Sequence, residues 1–364
     1  MKIRKTVFWI LFLLAENVFS QQPEFKVFLV GDAGDKKVTG ETLDSLKSQL
    51  LANPNSAVIF LGDNSYRNSL FGIFPWGFKG FDGSSNTRQK INSQLNILDN
   101  YKGAVYFIPG NHDWWNLTKF EKGKRKLKLE EDFIESRLRQ NRNILNPDST
   151  CFLPSNGSPG PASVELNDKK LRVVFIDSYW FILLGFKKTP VENNALEKLF
   201  YHNLDSILAD ASAKKQKIIV TAHHPIHALG SHTYKVKNPN FLRRIKTSTL
   251  NFPSYKKMIR QLDSLLIKYP GTYYASGHVH ALQFYLRNGV HYIISGSGSK
   301  IHKKKHKKSD AAEPCTESEC LIWNEQGFFE IVFSESTAKI IMTHCNGKKK
   351  CEIFKPDDCK GGCD

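Results

Sequence analysis

Six times along the chain a short, unbroken apolar run ends abruptly in residues with acid–base or metal-binding chemistry. Lys26–Val30 (KVFLV) runs into Gly31-Asp32-Ala33-Gly34, Ala57–Leu61 (AVIFL) into Gly62-Asp63-Asn64-Ser65-Tyr66, and Ala104–Pro109 (AVYFIP) into Gly110-Asn111-His112-Asp113. Leu171–Ile176 (LRVVFI) leads to Asp177-Ser178, Lys217–Thr221 (KIIVT) to Ala222-His223-His224-Pro225, and Thr272–Ser276 (TYYAS) to Gly277-His278-Val279-His280. A continuous short apolar run suits a strand that is covered on both faces. In open α/β sheets ligands collect beyond the carboxyl ends of the strands. The repetition therefore predicts one shared site at a sheet edge.

Between these runs, Val38–Leu51, Thr87–Tyr101, Phe120–Asn141, Asn193–Ala209 and Pro253–Tyr269 carry apolar residues at helical spacing. Strand and helix in alternation predict an α/β layered fold. After His280 the alternation stops, and Leu282–Leu286, Val290–Ser295, Phe328–Phe333 and Ala338–Met342 read as consecutive strands. One mixed sheet, or two stacked sheets with helices outside, accommodates that order. Arg67–Asn86 reads as a long loop, whose aromatics Phe71, Phe74, Trp76, Phe78 and Phe81 form either a satellite packing cluster or a substrate entrance.

The chain ends need separate treatment. Lys2, Arg4 and Lys5, then the apolar Val7–Leu14, then Phe19-Ser20, match a secretory signal over residues 1–20, with a retained N-terminal anchor as the alternative. The apolar run is too short to span a bilayer comfortably, so no stable membrane span is expected after its removal. Export makes oxidised cysteines the expectation. Six of the seven cysteines (Cys315, Cys320, Cys345, Cys351, Cys359, Cys363) follow residue 314 and lack the C-x-x-C spacing of a zinc ribbon; the seventh is Cys151. The expected organisation is a signal over 1–20, a catalytic domain over 21–300, and a basic, Cys-rich region over 301–364 whose final strands pack on that domain. The net charge of +17 favours anionic partners without specifying nucleic acid. Much of it lies in Lys300–Lys308 and Lys348–Lys350, which read first as solvated loops.

Asp32, Asp63, Tyr66, Asn111, His223, His278 and His280 form a set of oxygen and nitrogen donors without a thiol. Seven donors exceed one tetrahedral ion and fit two ions sharing a bridging carboxylate. In an extended segment His278 and His280 lie on one face, so reaching two ions requires a bend, which Gly277 permits. The motifs GDAG (31–34), GDNSY (62–66), GNHD (110–113), AHHP with a later histidine (222–225 and 232) and GHVH (277–280), in this order, resemble the calcineurin-like metallophosphoesterase superfamily. Within it they resemble the purple acid phosphatases, because Ala33 and Gly34 follow Asp32 where the superfamily has a histidine, and Asp63-x-x-Tyr66 supplies a tyrosine instead.

The resemblance implies a β-sandwich of two mixed sheets flanked by helices, with a small Cys-rich C-terminal extension. It implies a ferric ion held by Asp32, Asp63, Tyr66 and His280. Asp63 would bridge to a second ion, Fe(II), Zn or Mn, held by Asn111, His223 and His278. His112 and His232 match the histidines that contact substrate phosphate and protonate the leaving group, whereas His224 is not counted as a ligand. Asp113 and Asp177 read as supports for the ligands or as plain strand-end caps. The Ser295–Ser299 segment reads as a tight loop, or as a phosphate cradle through its N–H groups. His227, His302 and His306 read as surface residues.

The expected function is an exported acid phosphatase that hydrolyses phosphate monoesters, on small molecules or phosphoproteins, by attack of a metal-bound hydroxide. A secreted or periplasmic location is expected, or a lysosomal one in a eukaryote. The alternatives are a phosphodiesterase or nucleotide pyrophosphatase on the same metals, and a non-catalytic anion-binding surface protein. Substrate identity and oligomeric state do not follow from the sequence.

Overall fold

The computed structural model describes residues 24–36, 40–66, 81–114, 120–140, 150–184, 190–228, 252–301, 319–322, 325–335, 337–345 and 351–354. In chain order its first elements are β1 (Phe25–Val30), α1 (Glu41–Ala52), β2 (Ser56–Phe60), α2 (Ser85–Leu95), β3 (Ala104–Phe107) and α3 (Phe120–Arg139). Then come β4 (Ala162–Leu166), β5 (Leu171–Ile176), α4 (Ser178–Leu184), α5 (Pro190–Ala213), β6 (Lys217–Ala222), α6 (Pro253–Leu266) and β7 (Tyr273–Ser276). The last are β8 (Leu282–Arg287), β9 (Val290–Ser295), β10 (Glu319–Ile322), β11 (Gln326–Phe333), β12 (Ala338–Cys345) and β13 (Cys351–Phe354).

The strands form two mixed sheets. One has the order β13-β12-β11-β1-β2-β3 and the other β10-β8-β9-β7-β6-β5-β4. In the first, β1, β2 and β3 run parallel, with Leu29 opposite Ile59 and Ile59 opposite Tyr106. In the second, β5, β6, β7 and β9 run parallel. β11 joins the first sheet antiparallel to β1, so chain beyond residue 300 completes it.

Side chains alternate across a strand, and here both faces are buried. Val27, Leu29, Ala57, Ile59, Val173, Phe175, Ile219, Ala275 and Ile331 form the layer between the sheets. Their neighbours Phe28, Val30, Val58, Phe60, Val174 and Ile176 pack with helical residues such as Leu46, Ile91, Leu204 and Leu262. This double burial explains the unbroken apolar runs. Each fully buried side chain of this kind stabilises the fold by about 1.5–3 kcal/mol.

Four elements escape the periodicity argument. β4 is a half-buried edge strand. α4 is apolar all round, with Tyr179, Trp180, Phe181, Ile182 and Leu183 all buried, so it shows no amphipathic period. β10 and β13 are four-residue strands. The signal segment, Phe71, Phe74, Trp76, Phe78, His232, His302 and His306 lie outside the described residues. Phe81 is buried and stacks on Phe133 with ring centroids 5.4 Å apart, which favours the packing role. Among the described residues no helix is long and apolar enough to cross a membrane.

Candidate metal centre

The parallel strands of both sheets deliver their carboxyl ends to one edge. β1, β2 and β3 lead to Asp32, to Asp63 and Tyr66, and to Asn111 and His112; β6 and β7 lead to His223, and to His278 and His280. Three of these residues hold the left-handed conformation that side chains disfavour: Asp32 (φ 57°), Asp63 (φ 55°) and His278 (φ 66°). Each such residue costs roughly 1–2 kcal/mol, and strain of this kind collects at functional sites. The backbone reversal before the second histidine therefore occurs at His278, not at Gly277 as the spacing suggested. Gly277 serves close approach instead, since a Cβ there would meet Asp32 Oδ2 at 2.7 Å. Gly62 (φ 86°) is confined likewise, because its Cβ would stand 2.7 Å from the Gly110 nitrogen and 2.8 Å from His223 Nδ1.

All seven donors read from the sequence converge, in two lobes. In the first, the Tyr66 hydroxyl donates to Asp32 Oδ1 at 2.5 Å, and His280 Nε2 lies 3.3 Å from both oxygens. In the second, Asn111 Oδ1 lies 3.0 Å from His223 Nε2 and 2.8 Å from His278 Nδ1, and those two nitrogens are 3.3 Å apart. Asp63 belongs to both: its Oδ1 is 3.4 Å from His223 Nε2, and its carboxylate also interacts with the Tyr66 hydroxyl. Atoms about 2.1 Å from a shared cation stand roughly 3.0–3.4 Å apart. The donor chemistry and spacing thus fit a cation in each lobe with Asp63 between them. Asp32, Asp63 and His223 alone already offer ligand atoms within 4.8 Å of one another.

His223 donates from Nδ1 to the Leu61 carbonyl at 2.8 Å, which aims Nε2 at Asn111 and Asp63. Burial alone would lower its pKa, but the Asp63 and Asp32 carboxylates lift it to about 9. Burial would raise Asp63, yet His223 and His112 hold it well below the ordinary carboxylate range. Burial, together with Asp32 and Asp63, pushes the Tyr66 phenol well above its usual value. His112 donates its backbone N–H to Asp63 Oδ1 at 2.8 Å, and its ring packs 4.5 Å from the Tyr66 ring. A quarter of its side chain stays exposed, at the rim. Burial lowers this imidazole to about 4 against the opposing pull of Asp63.

A second set of buried residues fixes the loops that carry the candidate donors. Asp113 accepts N–H groups from Gly110 (2.7 Å), Asn64 (3.3 Å) and Ser65 (3.2 Å), tying the β2 and β3 loops together. Burial, then the nearby Asp63, raises its pKa to about 7. Glu130 of α3 accepts from the Asn64 amide at 3.3 Å and stands against Asp113. From α2, Lys90 binds the Tyr66 carbonyl and Gln94 binds the Asn64 carbonyl at 2.8 Å. Asp177 does not reach the lobes: it caps α4 through the Tyr179 and Trp180 N–H groups and holds the Trp114 indole at 2.7 Å. His224 is bonded to Ser178 through Nδ1 (2.9 Å). In the Ser295–Ser299 segment Gly296, Gly298 and Ser299 donate to the carbonyls of Ala281, Gly31 and Asp32. These bonds make it a tight loop that braces Asp32. His227 pairs with Asp263 at 3.2 Å.

Lys90, Gln94 and Glu130 were not singled out from the sequence. A signal existed: Lys90 and Gln94 share a helical face with Ile91 and Leu95, and Glu130 lies between Leu127 and Ile134. A charge on an apolar stripe marks a buried partner.

Among known proteins, the family profile described as calcineurin-like phosphoesterase matches residues 25–296. Tartrate-resistant acid phosphatase type 5 of the rabbit (Oryctolagus cuniculus) is 30% identical over 90 residues, 24% of this chain and 22% of that protein. The chain thus matches under a quarter of the length of this curated relative. The solved structure of GAP50, described as the anchor in the inner membrane complex of Plasmodium, superposes with a TM-score of 0.55. It is 17% identical and covers 92% of this chain and 89% of its own. That of PhoD gives 0.54 at 9% identity, over 92% of this chain and 69% of its own. At these identities the two structures speak to the fold alone.

Proposed function

The chain belongs to the calcineurin-like phosphoesterase family, and on that premise we propose that it is an exported acid phosphatase of the purple type, acting on phosphate monoesters. The observation that carries the reading is the Tyr66 hydroxyl set against Asp32 Oδ1 and His280 Nε2 in the first lobe. A phenolate beside a carboxylate suits a hard, highly charged cation. The proposed occupants are Fe(III) on Asp32, Asp63, Tyr66 and His280, and Fe(II), Zn or Mn on Asn111, His223 and His278, with Asp63 shared. When bound, such a pair supplies Lewis acidity that makes water nucleophilic at acid pH and neutralises phosphoryl oxygens.

The chain's own residues do the rest. The Leu61 carbonyl orients His223, and the His278 N–H holds Asp32 Oδ2 at 2.7 Å. His112, pinned through its backbone to Asp63 and exposed at the rim, is placed to meet an entering phosphoryl group. His232 is proposed as the proton donor to the leaving group. The 90-residue likeness to the rabbit acid phosphatase supports the branch. Cys345, which is disulfide-bonded, supports an oxidising compartment.

The test is the visible spectrum of the metal-analysed protein beside Tyr66→Phe, with monoester and diester substrates assayed across pH. A broad band lost in the variant, with monoester turnover best in acid, bears out the proposal. A colourless protein holding two zinc or manganese ions removes the purple label and keeps the hydrolase. Preference for the diester favours the phosphodiesterase alternative. Absence of both metal and turnover leaves the anion-binding protein.

A further inference from the structure

Two lysines bear on Tyr66. Lys90 is buried beneath it and engaged with its carbonyl. Lys300 meets the side chain instead: its ammonium stands over the ring, 3.5 Å from the centroid, and its side chain is half-buried. Its backbone is fixed by the loop before it, where Gly298 and Ser299 donate to the carbonyls of Gly31 and Asp32 at 3.0 and 3.2 Å. The Ser299 hydroxyl adds a bond to the Asp32 carbonyl at 2.8 Å, and Gln326 Nε2 donates to the Ser299 carbonyl at 2.9 Å. The charge is therefore delivered by a rigid segment, although the residue opens a run that reads as a solvated loop. A cation over an aromatic face is held there by the ring quadrupole. Among the described residues no carboxylate forms an ion pair with it. The Tyr66 ring also packs against the His112 ring at 4.5 Å, so the ammonium and that imidazole both lie against this residue of the first lobe.

A permanent positive charge, seated rather than waving in solvent, beside a histidine at the mouth of a site with two cation lobes has an evident complement. That complement is a terminal phosphoryl group carrying two negative charges. We propose that Lys300 is a specificity-determining residue that binds the non-bridging oxygens of a phosphate monoester's terminal phosphoryl group, and so favours monoesters over singly charged diesters, most strongly above about pH 6 where the second charge is present. The assignment rests on the phosphatase reading above and deepens it. Arginine in its place keeps the charge, whereas methionine keeps the length and apolar stem but removes it.

The experiment uses the full, metal-loaded protein at pH 7, above the second phosphoryl pKa of about 6. Inorganic phosphate is titrated calorimetrically into wild type, Lys300→Met and Lys300→Arg, with metal content measured on each. Steady-state rates are taken with p-nitrophenyl phosphate and bis(p-nitrophenyl) phosphate. Loss of one rim charge is expected to weaken phosphate binding and raise the monoester KM about tenfold in Lys300→Met, with kcat and the diester KM within about threefold of wild type. Lys300→Arg should recover most of the loss, and wild-type phosphate affinity should fall with added salt. Phosphate affinity in Lys300→Met equal to wild type, or equal losses on both esters, overturns the assignment while leaving the phosphatase standing. If Lys300→Met does not fold, salt-independent phosphate binding by wild type overturns it. Wild type that is fully loaded yet binds no phosphate and cleaves neither ester overturns the phosphatase reading, and the assignment with it.

Discussion

A cation entering the second lobe is expected to displace a proton. His223, lifted to about 9 by Asp63 and Asp32 against the effect of burial, is protonated at neutral pH, with Nε2 directed at Asn111 Oδ1 and Asp63 Oδ1. The sign follows from the raised value. The proton is bound throughout the range below about 9, so competition with metal persists at pH 7 and fades only in alkali. Each displaced proton changes affinity tenfold per pH unit, about 1.4 kcal/mol. Zinc affinity should then fall about 100-fold, or roughly 2.7 kcal/mol, between pH 8 and pH 6 from His223 alone. If Tyr66, whose phenol burial and the two carboxylates hold well above its usual value, also yields its proton to the first lobe, the two losses multiply to about 10⁴-fold, or roughly 5.5 kcal/mol. Calorimetric zinc titration of metal-free protein at pH 7, in buffers of differing ionisation enthalpy, counts the protons. Tyr66→Phe should release one fewer if the phenol ionises and the same number if it does not. Binding with no proton release would refute the picture of a protonated His223 occupying the lobe.

Three further outcomes are expected. His112→Ala should lower kcat by about 10²–10⁴-fold with both metals retained; unchanged turnover in the metal-analysed variant would favour the non-catalytic alternative. Gly62→Ala combines a left-handed φ with contacts of 2.7 and 2.8 Å. It should destabilise the metal-free protein by at least about 2 kcal/mol in urea and weaken metal retention, while a wild-type midpoint would show that the β2 and β3 loops separate easily. Lys90→Met leaves the Tyr66 carbonyl without its buried donor and should cost about 1–3 kcal/mol in the same assay; a neutral result would mean that water replaces the ammonium.

That the candidate donors would gather was legible because metal chemistry restricts residue type, and the end of a buried strand restricts position. Asp32, Asp63, Asn111, His223 and His278 each follow an apolar run, and the structure gathers them with Tyr66 and His280. What holds the ligands was far less legible. Asp113 and Asp177 looked alike, each an acid just past a strand, yet one ties two ligand loops and the other caps a helix. Only tertiary contact separates them. Gly277 and His278 also traded roles, since the sequence assigns conformational freedom to glycine while contacts can force a histidine into the left-handed region. α4 was missed because burial on all sides erases the 3.6-residue period.

The donors come from both layers of the sandwich: Asp32, Asp63, Tyr66 and Asn111 follow strands of one sheet, and His223, His278 and His280 follow strands of the other. Each lobe draws on both sheets, so neither could form on one sheet alone. An ion held by these residues would draw on both layers, and any ligand that favours the folded state raises its stability by mass action. Losing the ions would thus do more than silence chemistry. It would release a clasp at one edge of the sandwich, so that the site reports whether its two layers are properly seated.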